Sequence, residues 1–531
     1  MSKHHVKRVQ IHLMSALLPA AAFYLMRSRL GEAGLGYFSI SYLGYLFMLL
    51  LFDGGVADET ARMLRSRINR GHRTNVRIVW TAVLGMQIFS GIAAGVLLGA
   101  GGYFLSVKFL HIPHAAWVWA FWAPALFLRM INSVYASYAK GRFSDTQVSI
   151  SLLCRAVFFP VLSFFFFSQM ESYGRKVSAL LLDEDFSAMY GCIGICIGAA
   201  AAEALVFFYL LVVRILGIRF EASPSESGRV RRDRSGAICL SVWGGRGLQM
   251  LSAVLLLGYA FGLFFLCGKA ENLSLAPLSG EFFTLSLLPF LLVTVSGGAM
   301  TLPFAARCNA SFAKEAMRNA RVSFQAGFHL SVLLGTFGFS SVFALSRIWL
   351  IWLGKGGEGP DSGVLMALGF AVLFTVVDLF FYRLLIMRDL KLFVCGANLL
   401  TAVVGIFVFR ALLPGKGAHT GAAVSMAVVA GMLCLLYGLL AAWKLNMNYD
   451  PVSSILVPLG CGVLLGLVEM FLSRAIAPHL GYGFTMVLCT LIFGVLYTIS
   501  LLLLRNFNEW EIRHYPGARL LEGLGQLLRV L

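Results

Sequence analysis

A chain of 531 residues with 59% hydrophobic and 13% charged side chains, and a mean hydropathy of +0.81, is excluded from the soluble domains and reads as a polytopic membrane protein. The formal net charge of +18 would suggest nucleic acid in a soluble chain. Here the basic residues gather in loops between apolar runs, as membrane topology requires, so no nucleic-acid partner is expected. The ten cysteines show no CxxC and no metal-ligand spacing; neither a metal site nor a structural disulfide is expected, and Cys192 and Cys196 read as small packing groups on one helix face.

The N-terminus carries Lys3, Lys7 and Arg8 before the apolar run Ile11–Met26. Ala20, Ala21 and Ala22 would suit signal cleavage, but the run is long enough to span with its flanks and is read as a retained first helix. With ~20 apolar residues per span, about fourteen crossings are expected. They lie near 10–26, 36–55, 78–106, 116–137, 148–168, 189–213, 237–267, 280–304, 323–345, 363–387, 392–412, 420–443, 452–473 and 484–504. With the N-terminus inside, the inner loops and tails hold most of the 43 Lys+Arg, which places both termini in the cytoplasm of a multi-pass protein of the inner (plasma) membrane.

The outer loop 169–188 contains Asp183, Glu184 and Asp185 and reads as a solvated loop, too short to fold alone. The stretch 214–236 is polar and basic, with Arg229, Arg231, Arg232 and Arg234, and reads as a cytoplasmic linker between two lobes. The expected organisation is therefore a six-helix lobe over 1–213, the linker, a second six-helix lobe over 237–443, two further helices over 444–504 and a cytoplasmic tail over 505–531. Gly36-Tyr37-Phe38 through Gly54-Gly55 aligns weakly with Gly280-Glu281-Phe282 through Gly297-Gly298, a pattern that suggests internal duplication with same-orientation repeats. In the tail, Leu520, Leu521, Leu524 and Leu527 follow a helical period, as in an interfacial amphipathic helix anchored by Trp510, with no function expected of it.

Four arginines lie inside apolar segments: Arg129, Arg155, Arg246 and Arg383. At bilayer depth each costs at least ~2.5–3.5 kcal/mol, so such residues face protein or a wet cavity. Arg246, in Trp243-Gly244-Gly245-Arg246-Gly247 with Gln249 three residues on, is the first candidate for binding an anionic group, because a guanidinium fork matches phosphate oxygens. Arg129, followed by Asn132 and Ser133 at helical spacing, and Arg155 are further cavity candidates. Arg383 is near the cytoplasmic end of its helix and is expected to snorkel. Glu203 and Asp378 either pair with an arginine or carry a coupling H+ or Na+, pairing being favoured; Asp53, beside Gly54-Gly55, reads as a hinge or gate residue. No HExxH, GxSxG or Walker pattern occurs, and neither enzymatic activity nor a bound cofactor is expected.

The run Arg27-Ser28-Arg29-Leu30-Gly31-Glu32-Ala33-Gly34-Leu35-Gly36-Tyr37-Phe38 resembles the N-terminal signature of polysaccharide flippases of the multidrug/oligosaccharidyl-lipid/polysaccharide exporter superfamily. Phe52-Asp53-Gly54-Gly55, Tyr138-Ala139-Lys140-Gly141-Arg142-Phe143 and Ile351-Trp352-Leu353-Gly354 are similar to further family motifs, and a fourteen-helix length resembles the lipid II flippase and sporulation protein B branch. The resemblance implies an all-α fold of two pseudo-symmetric six-helix lobes around a central cavity, with two extra C-terminal helices. It implies alternating-access flipping of an isoprenoid-diphosphate-linked oligosaccharide in the lipid bilayer, alongside other polysaccharide-assembly proteins, with Arg27 and Arg29 as gate residues. A drug/cation antiporter of the same superfamily is the alternative; a membrane-embedded polysaccharide polymerase or ligase is a third reading.

Overall fold

The structure is a computed structural model that describes residues 3–142, 145–221, 233–271, 275–298, 300–352, 361–515 and 517–527. All regular structure among them is helical. The chain divides into two compact units, Met14–Thr284 and Met1–Leu13 with Leu285–Leu531. In chain order the helices are α1 Lys3–Asp53, α2 Val56–Asn69, α3 Arg73–Phe104, α4 Pro113–Phe121, α5 Ala123–Arg142, α6 Asp145–Leu181, α7 Asp185–Glu221, α8 Ser235–Glu271 and α9 Leu275–Val293. They continue as α10 Leu302–Ala313, α11 Met317–Trp352, α12 Asp361–Met387, α13 Lys391–Lys416, α14 Ala418–Leu445, α15 Val457–Leu480, α16 Tyr482–Leu503, α17 Glu509–His514 and α18 Ala518–Leu527.

Among the described residues ten helices are long and apolar enough to cross a membrane. They match ten of the expected crossings; the other four take different forms. The first two crossings belong to one 51-residue helix, α1, broken at Gly31 (φ 66°), a backbone conformation open to glycine at no steric cost. The expected span 116–137 is split into α4 and α5 at Trp122, where Pro124 lacks the N–H that would bond the Ala120 carbonyl, and α5 also carries Arg129, Lys140 and Arg142. The span 237–267 is bent by 47° between Ser235–Leu248 and Met250–Leu263. The span 280–304 ends as a helix at Val293, and a π turn, Thr294–Gly298, follows where Gly297-Gly298 weakens the helix.

Several expected loops are helical. After Gly55 (φ 81°) the basic stretch becomes α2, which buries Val56, Thr60, Ala61 and Leu64 and turns its arginines outward. The basic stretch after Gly298 contains α10 in the same way, with Phe304, Ala305 and Cys308 buried. Most of 169–188 is helix too, since α6 runs to Leu181 and α7 opens at Asp185. The middle of the expected linker, 222–232, lies outside the described residues.

In the N-terminal unit α6 and α7 form a close antiparallel pair. A Cβ on Gly198 would stand 2.4 Å from the Ser163 Cα, and one on Gly194 2.5 Å from the Phe166 carbonyl oxygen, so the two backbones approach to a distance only glycine allows. Cys192 and Cys196 are buried free thiols of α7 that face the Gly34 carbonyl of α1 and the Val118 carbonyl of α4. In the C-terminal unit α11 is the central element, buried along most of its length, with α12, α15 and α16 packed around it.

Candidate functional site

A cavity of about 260 Å³ opens inside the N-terminal unit among α1, α5, α6 and α7. Its aromatic wall comes from Tyr42 and Tyr45, three residues apart on one face of α1, and from Trp122 at the α4–α5 break. The Tyr42 and Tyr45 rings stack at 5.9 Å, and the Tyr45 and Trp122 centroids are 4.8 Å apart. Trp122 is held by donating its indole Nε1–H to Ser41 Oγ (3.1 Å). Splitting the expected fourth span at Trp122 is what places this ring in the wall.

The charged part of the cavity joins three helices. Glu203 of α7 is 5% exposed, and its carboxylate accepts from Arg155 of α6 in bidentate fashion, Nε to Oε1 at 2.6 Å and Nη2 to Oε2 at 3.0 Å. Asn132 Nδ2 of α5 donates to Glu203 Oε2 (2.8 Å) and to its backbone oxygen (2.9 Å). Arg129 Nη1 lies 3.5 Å from Glu203 Oε1, an ion pair without hydrogen-bond geometry. On the other side Arg129 feels the charge of Asp53, which accepts from Gln87 Nε2 of α3 (2.7 Å) and Ser133 Oγ (2.5 Å). Arg155, Glu203, Arg129 and Asp53 thus alternate in sign. The two arginines that line the cavity are matched by two carboxylates, and the lining is not the basic chamber that the arginine content suggests.

The remaining predicted residues lie elsewhere. Arg246, the leading candidate for a substrate contact, is fully buried. Its Nη1 donates to the Phe52 carbonyl (2.8 Å) and its guanidinium sits 4.0 Å from the Trp243 ring centroid. It therefore caps carbonyls freed where α1 ends at Asp53-Gly54-Gly55, a structural task that helix termini commonly need. The Gln249 side chain lies outside the described residues. Arg29 has a half-exposed side chain 3.8 Å from Glu171, and Arg27 is part-buried; neither lines the cavity. In the C-terminal unit Arg383, expected to snorkel, donates from Nη1 to the carbonyl of Gly298 (2.5 Å), the last residue of the π turn. Asp378 is 6% exposed, and its Oδ1 has no hydrogen-bond partner among the described residues, so the pairing favoured from sequence is not formed.

Sequence reasoning missed the wall residues Tyr42, Tyr45 and Trp122, although the three-residue tyrosine spacing was a readable signal. It also missed Glu469, an acidic residue inside an expected span, to which the rule applied to Glu203 and Asp378 extends directly.

No protein-family model and no curated protein matches the chain. Solved structures do. One is an inward-facing multidrug resistance MATE family transporter of the MOP superfamily, at TM-score 0.59 and 10% identity over 83% of this chain and 98% of that one. The fold is that of the MATE transporters. A eukaryotic MATE transporter, AtDTX14, aligns at TM-score 0.59 and 14% identity over 83% of this chain and 94% of its own. A MOP superfamily transporter from Pyrococcus furiosus, described as having a binding pocket of reverse polarity that suggests a different function, aligns at 0.60 and 13% over 83% and 96%. At these identities the likeness establishes the fold and does not single out the polysaccharide-flippase branch.

Proposed function

We propose that this protein is an ion-coupled exporter of small amphipathic molecules, working by alternating access, with its N-terminal cavity as the cargo site and Glu203 as the group that exchanges ions. The observation that carries the reading is the buried carboxylate at the end of an aromatic-walled cavity, held by arginines whose charge is matched. Glu203 can take up H+ only by giving up part of its hold on Arg155 and Arg129, which links ion binding to the packing of α5, α6 and α7. Tyr42, Tyr45 and Trp122 offer faces on which an organic cation or a flat apolar ring is stabilised. The volume agrees, since about 260 Å³ lies at the lower edge of small-ligand pockets and is too small for an oligosaccharide. The MATE fold, which includes multidrug resistance transporters among its members, supports the same class. The protein would sit in the inner membrane with both termini in the cytoplasm.

The test is a proteoliposome assay with an imposed pH gradient and a fluorescent lipophilic cation. Wild-type protein should drive gradient-dependent movement of the cation; Glu203→Gln should abolish it while the protein remains monodisperse. Gradient-driven transport undiminished in Glu203→Gln would refute the assignment.

A second reading, the flippase of an isoprenoid-diphosphate-linked saccharide, rests on Arg246, whose Nε and Nη2 have no hydrogen-bond partner among the described residues despite full burial. Such donors suit phosphate oxygens. It prevails if a labelled isoprenoid diphosphate is translocated by wild type, not by Arg246→Ala, and no cation transport is seen.

A further inference from the structure

The C-terminal unit holds a carboxylic acid that the cavity of the other unit does not use. Glu469 lies in the middle of α15, 3% exposed, and neither carboxyl oxygen has a hydrogen-bond partner among the described residues. It continues a line of small residues on α15, Gly462 and Gly466 before it and Ser473 after it, all buried. That line packs on α11: Ser340 Oγ donates to the Gly462 carbonyl (3.0 Å), and a Cβ on Gly466 would stand 3.3 Å from the Ser340 Cβ. The carboxyl therefore sits in a seam between α11, α15 and α16 rather than toward lipid.

Among the described residues no cation answers it. The basic residues nearest along the chain, Arg347 on α11 and Arg474 on α15, are both exposed, and α16 has no charged residue. The titratable groups that face it from α16 are the free thiol Cys489 and, further along, Tyr497, whose hydroxyl donates to the Pro458 carbonyl. Ser473 spends its hydroxyl on the Met470 carbonyl of its own helix. An ionised carboxylate buried this deeply has no counter-charge among the described residues, and its desolvation far outweighs that of the neutral acid.

We propose that Glu469 is a proton-binding site of the C-terminal unit, occupied while the seam between α11, α15 and α16 is closed and able to release its proton only when water reaches that seam. Gly462 and Gly466 carry no side chains, which leaves little to unlock when α15 shifts along α11. The ligand is H+, and the site is separate from the Glu203 cavity; it stands whether or not Glu203 couples transport.

Infrared spectroscopy of the protein in liposomes tests it without any transport measurement. At pH 7 the wild type should show the carbonyl stretch of a protonated carboxyl lacking hydrogen bonds, and Glu469→Gln should lose one such band. Asp378→Asn serves as the control and should leave that band in place. Should Glu469→Gln fail to fold, wild-type protein carrying 13C at the glutamate side-chain carboxyls should show the band displaced by the isotope. An identical carboxyl region in wild type and Glu469→Gln, or no isotope-sensitive band at pH 7, would show Glu469 ionised and overturn the proposal.

Discussion

Glu203 is the residue on which the N-terminal site turns. Its carboxylate is the shared partner of Arg155 and Arg129, so removing it leaves two guanidiniums without their main counter-charge. Breaking a buried pair in this way costs about 3–5 kcal/mol, and the lower end applies because the two arginine side chains keep 29% and 23% exposure. Glu203→Gln should therefore lower the thermal midpoint in detergent, and Arg155→Ala should lower it less, since Asn132 and Arg129 still serve the carboxylate. Arg155→Lys should not restore wild-type behaviour, because an ammonium cannot reproduce the two parallel bonds. An unchanged midpoint in Glu203→Gln would mean that the ion pair is solvent-relaxed and energetically idle.

At the scale of elements, glycine contacts separate helix pairs that are locked from those with room. Gly198 on α7 has the Ser163 backbone where a methyl would go, whereas a Cβ on Gly244 of α8 meets nothing within 4 Å. Gly198→Ala should destabilise by about 1–3 kcal/mol through overpacking. Gly244→Ala should be neutral or stabilising by up to about 1 kcal/mol, through helix propensity alone. Thermal unfolding of the two variants side by side checks both, and equal effects would contradict the close α6–α7 approach. The contrast bears on Trp243-Gly244-Gly245-Arg246-Gly247, just before the 47° bend of α8. Among the described residues nothing lies within 4 Å of a Cβ placed on Gly244 or Gly247.

At the scale of the whole molecule, the tail is part of the C-terminal unit rather than an appendage. His329 of α11 is 2% exposed, with Nε2 2.9 Å from Asn506 Nδ2 and Nδ1 3.2 Å from Glu511 Oε1. Tyr515 adds a bond from its hydroxyl to the Ala326 carbonyl (2.9 Å), and Glu511 closes a capping box with Asn508. Glu511→Ala should cost about 1–3 kcal/mol by orphaning buried donors, read as a lowered thermal midpoint. A tail that only lay on the bilayer surface would tolerate the change. Membrane orientation follows from the charge bias and is checked on a cysteine-free background. A thiol at Arg70→Cys should react with an impermeant reagent only after cells are permeabilised, and one at His479→Cys should react in intact cells; the reverse pattern would invert the topology.

Composition and the period of apolar runs determined by themselves that the chain is an all-helical membrane protein, and they located ten of its long helices, because hydrocarbon demands an unbroken apolar stretch of fixed length. The same rule drew attention to Arg129, Arg155, Glu203 and Asp53, since an ionisable group at depth is costly wherever it points. Which charge answers which was decided only in three dimensions. Glu203 and Arg155 are 48 residues apart, and Asp53 and Ser133 80 apart, so no local pattern encodes either contact. Arg246 shows the limit most plainly: its sequence surroundings suit a phosphate, while the fold puts the end of α1 beside it, where the Phe52 carbonyl takes one guanidinium nitrogen. The pattern of charges along a chain states what must be compensated; the partner is chosen by how the helices pack.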